Sequence, residues 1–152
     1  MSAQNFHATC VVFPQFDNAG ILLTGAPGSG KSSLALQLME RGAKLVSDDQ
    51  TIIQPGPHGL IATAPEGLSR LIEINGYGIV QLPDAAYMPS AVLGLYVALA
   101  PAGQPIERLP EQLTHQVLAV PLRRVTLHAY DPAAAAKIFA ILSYRLLDYT
   151  DA

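Results

Sequence analysis

Residues Gly25-Ala26-Pro27-Gly28-Ser29-Gly30-Lys31-Ser32 follow the spacing Gly-x-x-x-x-Gly-Lys-Ser, and no other stretch of this 152-residue chain restricts its folding as much. Ahead of it Ile21-Leu22-Leu23-Thr24 reads as a short buried strand. Beyond it Leu34 and Leu38 recur at helical spacing, so the segment reads strand, loop, helix. Glycines at 25, 28 and 30 let the backbone turn tightly, so that successive N–H groups and the helix N-terminus aim at one anionic centre. Lys31 supplies a point charge suited to β- and γ-phosphates, and the Ser32 hydroxyl stands where Mg²⁺ takes an oxygen ligand. Gly25, Ala26, Pro27, Gly28, Ser29, Gly30, Lys31, Ser32 and Ser33 are therefore the candidate nucleotide-binding residues.

The rest of the chain alternates short extended runs with few helices. Phe6 to Phe13 reads as a strand, Pro14 to Gly20 as a turn around Asp17-Asn18, and Ile21 to Thr24 as its antiparallel partner. The helix from Lys31 stops at Gly42, and Lys44 to Ser47 returns as a strand. Thr51 to Gln54 and Gly59 to Thr63 flank the turn Pro55-Gly56-Pro57-His58, and Ile72 to Leu82 is extended but interrupted by glycines. Val92 to Leu99 and Val117 to Leu127 are further strands. Asp131 and Pro132 are placed to start a helix whose Ile138, Ile141, Leu142 and Leu146 share a face. The expected fold is α/β with a mixed β-sheet, short β-elements in the middle and a C-terminal helix, in one domain over residues 1–152.

Composition excludes several classes of function. Net charge is −3, and the nine Lys and Arg are scattered, so no nucleic-acid face is expected. The apolar run Ala91 to Ala100 is about half of what spans a bilayer, and the N-terminus lacks the basic and apolar regions of a signal peptide. A cytoplasmic location follows as the expectation. Cys10, the single cysteine, sits among apolar residues and reads as a buried thiol.

Two places supply acids to the loop. The strand Leu45-Val46 runs into Asp48-Asp49 one helix after Lys31, so a strand beside the loop strand would deliver a carboxylate to the γ-phosphate. Adjacent carboxylates on an extended segment point oppositely, so one faces the site and the other makes structural bonds or helps a metal; either fits the part of general base. The second place is Glu73, an acid inside the apolar run Leu71 to Ile74, followed by Gly76 and Gly78, which allow close backbone approach. Burying that carboxylate would need a partner or a metal. His58, His115 and His128 show no metal-ligand spacing, Tyr77 reads as a packing residue, and Glu66 with Arg70 as an exposed helical pair.

Taken in order, His7, the loop Gly25 to Ser32, Leu45-Val46-Ser47-Asp48-Asp49, the run Ile72 to Val80, Glu107-Arg108-Leu109 and Tyr144-Arg145 resemble the catalytic domain of HPr kinase/phosphorylase over nearly the whole chain. That resemblance implies a P-loop kinase-like protein-serine kinase that uses ATP and Mg²⁺, takes the phosphocarrier protein HPr as its substrate, and belongs to a family whose members assemble as hexamers. It implies His7, Lys31, Asp48, Asp49 and Arg108 as catalytic residues, Asp49 as proton acceptor in the kinase direction, and Ser32 and Glu73 as Mg²⁺ ligands. Relatives often carry an N-terminal domain; here the chain begins almost at His7, as in short proteobacterial forms, and regulation through that domain is expected to be absent. Asn75 stands where the family usually has Arg, and Leu127 to Ala133, which aligns with a basic loop used in phosphorolysis, holds no Arg. Kinase activity is thus expected without strong phosphorylase activity. A P-loop kinase of a small metabolite and a non-catalytic nucleotide-binding protein are the alternatives. A GTPase is excluded by the lack of an Asn-Lys-x-Asp sequence.

Overall fold

The computed structural model describes residues 2–111 and 113–147. Its elements in chain order are β1 (Gln4–Phe6), β2 (Ala8–Phe13), β3 (Ala19–Thr24), α1 (Lys31–Glu40), β4 (Lys44–Ser47), β5 (Thr51–Gly56), β6 (Gly59–Thr63), β7 (Leu71–Ile74), β8 (Gly78–Gln81), β9 (Ser90–Leu99), β10 (Thr114–Val117), β11 (Val120–Leu127) and α2 (Ala134–Ser143). The main sheet runs β1-β5-β6-β9-β3-β2-β4, and β11, carrying β10, pairs with β9 as well. Strands β3, β9 and β11 are parallel neighbours, and the remaining pairings in the sheet are antiparallel. The sheet is mixed, as the sequence predicts. Because β9 is long, its first residues pair with β6 and its last four, Tyr96 to Leu99, pair with β11.

Alternation sorts the side chains of the central strands onto two faces. Val11, Phe13, Ile21, Leu23, Leu95 and Val97 face α1 and α2, where they bury Leu34, Leu38 and Ile138. Cys10, Val12, Leu22, Val46, Ile53 and Leu60 form a second core on the opposite face. Every residue of β2 is buried for this reason. Phe13, Phe16 and Phe139 meet edge to face at centroid distances of 5.0–5.9 Å, tying α2 to the turn after β2. The β2–β3 turn holds Asp17 and Asn18 in the left-handed region, at φ 54° and 56°, as short polar side chains tolerate.

Several expectations are corrected. The run Phe6 to Phe13 is two strands broken at His7, and Val117 to Leu127 belongs to a hairpin, with the left-handed turn Leu118-Ala119 between β10 and β11. Strand β4 does not neighbour the loop strand β3, since β2 lies between them. Helix α2 starts at Ala134 and ends at Ser143, so Leu146 lies beyond it and is exposed. Asp131 still holds the entry by accepting the Ala133 N–H at 2.8 Å. Glu66 and Arg70 are not on a helix; Arg70 pairs with Asp84 and lies 5.3 Å from the Tyr87 ring centroid.

Candidate active site

Strand β3 ends in the loop, and α1 begins at Lys31, directly behind Gly30. Gly28 and Gly30 have φ of 79° and 97°, the region L-residues avoid. A Cβ on Gly30 would also fall 2.7 Å from the Cβ of Ala129 and 3.2 Å from the Tyr130 ring, so the segment after β11 packs directly on the loop. Lys31 is buried, and its Nζ donates to the carbonyls of Gly25 at 2.9 Å and Ala26 at 3.1 Å. The ammonium is therefore held across the loop by acceptors that compensate its burial.

The antiparallel register of β2 and β4, with Cys10 opposite Ser47, brings Asp48 level with Thr9. Asp48 Oδ1 accepts from Ser32 Oγ at 2.7 Å and Thr9 Oγ1 at 3.0 Å, and Oδ2 accepts from the Glu73 N–H at 3.2 Å. One carboxylate thus joins α1, β2 and β7. Asp49 turns away from it, at φ 66°, and donates its N–H to Thr9 Oγ1 at 3.0 Å. Its carboxylate is exposed, with Oδ1 3.5 Å from His7 Nδ1. Geometry distinguishes the two acids: Asp48 is occupied by hydrogen bonds to Ser32, Thr9 and the Glu73 N–H, while Asp49 presents an exposed carboxylate beside a histidine.

Lys31, Ser32, Ser33, Asp48, Asp49, Glu73 and Asn75 line one cavity of about 350 Å³ together with Pro27, Gly28, Gly30 and Tyr130. Glu73 is exposed toward this cavity, which corrects its expected burial: β7 and β8 form a separate hairpin with one open face. Gly76 and Gly78 have no atom within 4 Å of a Cβ position, so they serve the turn's positive φ and not close approach. Tyr77 at that turn is 81% exposed and packs on no core, contrary to expectation. Among the described residues no three His, Cys, Asp or Glu converge on a metal position. A cation held by the Ser32 hydroxyl and the Glu73 carboxylate would complete its shell with phosphate and water oxygens, as Mg²⁺ commonly does.

Arg108 is not brought to this cavity. It is exposed and lines a separate one of about 850 Å³ with Glu107, Arg124, His128, Asp131 and Lys137. Lys137 donates to Asp131 at 2.6 Å, and the Lys137 partnership holds the Asp131 carboxyl below its ordinary range. Cys10 is fully buried, and burial pushes its thiol up to about 12, so it is no nucleophile at neutral pH. Sequence reasoning missed Thr9 and Tyr130. Thr9 carries a usable signal, since alternation puts it on the same face of β2 as Val11 and Phe13, the face that meets α1.

A loop that cradles phosphates, a serine hydroxyl bonded to an acid, and a second acid beside a histidine suit phosphoryl transfer to an alcohol. The HPr Serine kinase C-terminal domain matches residues 2–143. The chain belongs to this family. The HPr kinase/phosphorylase of Clostridium tetani is 35% identical over 115 residues, 71% of this chain and 38% of that protein. That of Stenotrophomonas maltophilia is 39% identical over 109 residues, 68% of this chain and 34% of that protein. The chain thus matches well under half the length of these relatives. The structure of the Hpr(Ser) kinase/phosphatase from Coxiella burnetii superposes with a TM-score of 0.75 at 26% identity, covering 92% of this chain and 88% of that one. The HPr kinase domain is therefore also this chain's fold, a mixed curled sheet with a C-terminal helix. No helix among the described residues is long and apolar enough to cross a membrane.

Proposed function

We propose that this domain is an ATP- and Mg²⁺-dependent kinase that phosphorylates a serine of HPr. The observation that carries the reading is the convergence of Lys31, Ser32, Asp49 and Glu73 on one cavity, with His7 against Asp49, in a chain of the HPr kinase family. Residues Gly25 to Ser33 receive the triphosphate, and Lys31 exchanges the loop carbonyls it now holds for phosphate oxygens. Ser32 and Glu73 hold Mg²⁺, which when bound neutralises phosphate charge. Asp48 fixes the Ser32 hydroxyl through its 2.7 Å bond. Asp49 takes the proton of the incoming serine hydroxyl, and His7 orients its carboxylate. Arg108 stabilises the transferred charge only once the segment carrying it moves from the neighbouring cavity.

The test is incubation with labelled ATP and Mg²⁺ in the presence of HPr or of a panel of small-metabolite acceptors. Label on an HPr serine is the expected result. Label on a metabolite, or on neither, refutes the reading.

A further inference from the structure

Tyr130 is 69% exposed, yet its backbone is firmly held. On one side Ala129 is buried, its Cβ only 2.7 Å from the place a Cβ on Gly30 would take. On the other side Asp131 accepts the Ala133 N–H at 2.8 Å and the Lys137 ammonium at 2.6 Å, and its own N–H donates to the His128 carbonyl at 3.1 Å. The chain is thus pinned before and after a side chain that gains little from burial. The ring is turned back onto the phosphate loop. Its atoms nearest the Cβ position of Gly30 are Cζ and the hydroxyl oxygen, at 3.2 and 3.4 Å, so the polar tip of the ring, not its apolar body, meets the loop. Tyr130 borders the cavity that holds Lys31, Ser32, Asp49 and Glu73. It also borders a second cavity of about 450 Å³, walled by Ala26 to Ser29, so it stands at the seam where the two spaces adjoin over the loop.

We propose that Tyr130 is a further phosphate-binding residue of the reaction: its phenol hydroxyl donates a hydrogen bond to an oxygen of the phosphate chain seated on the loop. The assignment rests on the proposed nucleotide-dependent function. A phenol offers one O–H donor and no charge, so it complements the Lys31 ammonium and the loop N–H groups instead of duplicating them. It reaches the phosphates from a separate segment, the turn between β11 and α2. Because that turn is already fixed by Ala129 and Asp131, the donor is in place before the phosphate arrives and little reorganisation is required. A neutral donor adds one bond to a single phosphate chain, but it does not supply the positive charge needed to hold two dianions together.

The test compares, by calorimetry with Mg²⁺, the binding of inorganic tripolyphosphate and AMP-PNP to the wild type, Tyr130→Phe and Tyr130→Ala. Tyr130→Phe keeps the ring against Gly30 and removes only the hydroxyl, and at so exposed a position neither change should alter the melting temperature. Tyr130→Phe is expected to weaken both ligands by the same factor, about tenfold, near the lower limit for a hydrogen bond to a charged group because the site is open to water. Tyr130→Ala should lose a similar factor. If Tyr130→Phe binds tripolyphosphate as tightly as the wild type, the assignment is overturned while the phosphate loop and the kinase reading stand. A loss confined to Tyr130→Ala would then show that the ring fills space, and a Tyr130→Phe loss confined to AMP-PNP that the hydroxyl meets the nucleoside and not the phosphates. If the wild type binds neither ligand, the assignment and the proposed function fall together.

Discussion

Thr9→Val tests whether the two acids are placed by one buried hydroxyl. Valine nearly matches threonine in volume, so the change removes the hydroxyl with little alteration of packing. In the native protein that hydroxyl donates to the Asp48 carboxylate and accepts the Asp49 N–H, each at 3.0 Å, from a fully buried position. A hydrogen bond to a charged group contributes about 1.5–3 kcal/mol, and an amide left unpaired costs about 1–3 kcal/mol. Asp49 turns outward and its N–H recovers some solvation, so a net loss of about 2–3 kcal/mol is expected. At about 2–4 °C per kcal/mol for a domain of this size, the melting temperature should fall by about 4–12 °C. The kinetic consequence is separate. Asp49 sits at φ 66°, a conformation that costs a non-glycine residue about 1–2 kcal/mol, and the Thr9 bond helps to hold it there. Released from it, the carboxylate drifts from the attacking serine, and a misplacement of about 1 Å is worth on the order of 10²-fold in turnover. Thermal unfolding and initial rates with ATP and HPr should be measured for Thr9→Val and for Thr9→Ser, which keeps the hydroxyl and should restore most of the turnover. Wild-type turnover in Thr9→Val, or a Thr9→Ser enzyme as slow as Thr9→Val, would refute the placement argument.

Lys31→Ala should remain folded by circular dichroism but lose AMP-PNP binding and transfer, since the buried ammonium bonds only loop carbonyls and its removal leaves the core intact. Arg108→Ala should leave AMP-PNP affinity unchanged and lower kcat, because Arg108 lies outside the phosphate cavity; a weakened affinity with unchanged kcat would contradict this. The Cys10 thiol, raised from 9.0 to about 12 in the fold, stays protonated where the unfolded thiol ionises, so it contributes stability below pH 9 that is lost as pH rises toward 12. In urea titrations Cys10→Ala should lose less stability over that window than the wild type. Phosphorolysis of phosphoserine-HPr, followed by pyrophosphate release, should be far slower than the kinase reaction. Two phosphate dianions need cationic donors, and the segment after β11 offers Tyr130 and a Lys137 already bonded to Asp131. Comparable rates would show that other residues bind the second phosphate.

The elements nearest the phosphate loop were legible because their signals are local. The apolar run before Gly25, the helical spacing of Leu34 and Leu38, and the turn residues Asp17 and Asn18 specify β3, α1 and the β2–β3 hairpin without reference to distant residues. Strand order was not legible. A return strand after the first helix reads as a neighbour of the loop strand, but β2 enters between β3 and β4 because it is buried on both faces and completes both cores. The break at His7 and the turn at Leu118-Ala119 carry no glycine or proline, so nothing local marked them.

The site shows the same division at the scale of single atoms. Motif spacing located Lys31 and Ser32, and the partners of Lys31, the carbonyls of Gly25 and Ala26, lie in the loop itself. The parts played by Asp48 and Asp49 depend on a backbone torsion and on Thr9, 39 and 40 residues earlier, which reaches them through the β2–β4 register. Alternation alone would send the two carboxylates to opposite faces and leave their assignment open; the left-handed Asp49 replaces that alternation with a turn. Glu73 shows the converse error. An acid between isoleucines reads as buried because the sequence gives no sign that β7 pairs only with β8, and a two-stranded hairpin leaves one face to solvent. That open face is what makes Glu73 useful. Its backbone N–H anchors to Asp48 while its side chain stays exposed, so the acid is positioned for the proposed cation-binding role without the desolvation cost that full burial would impose.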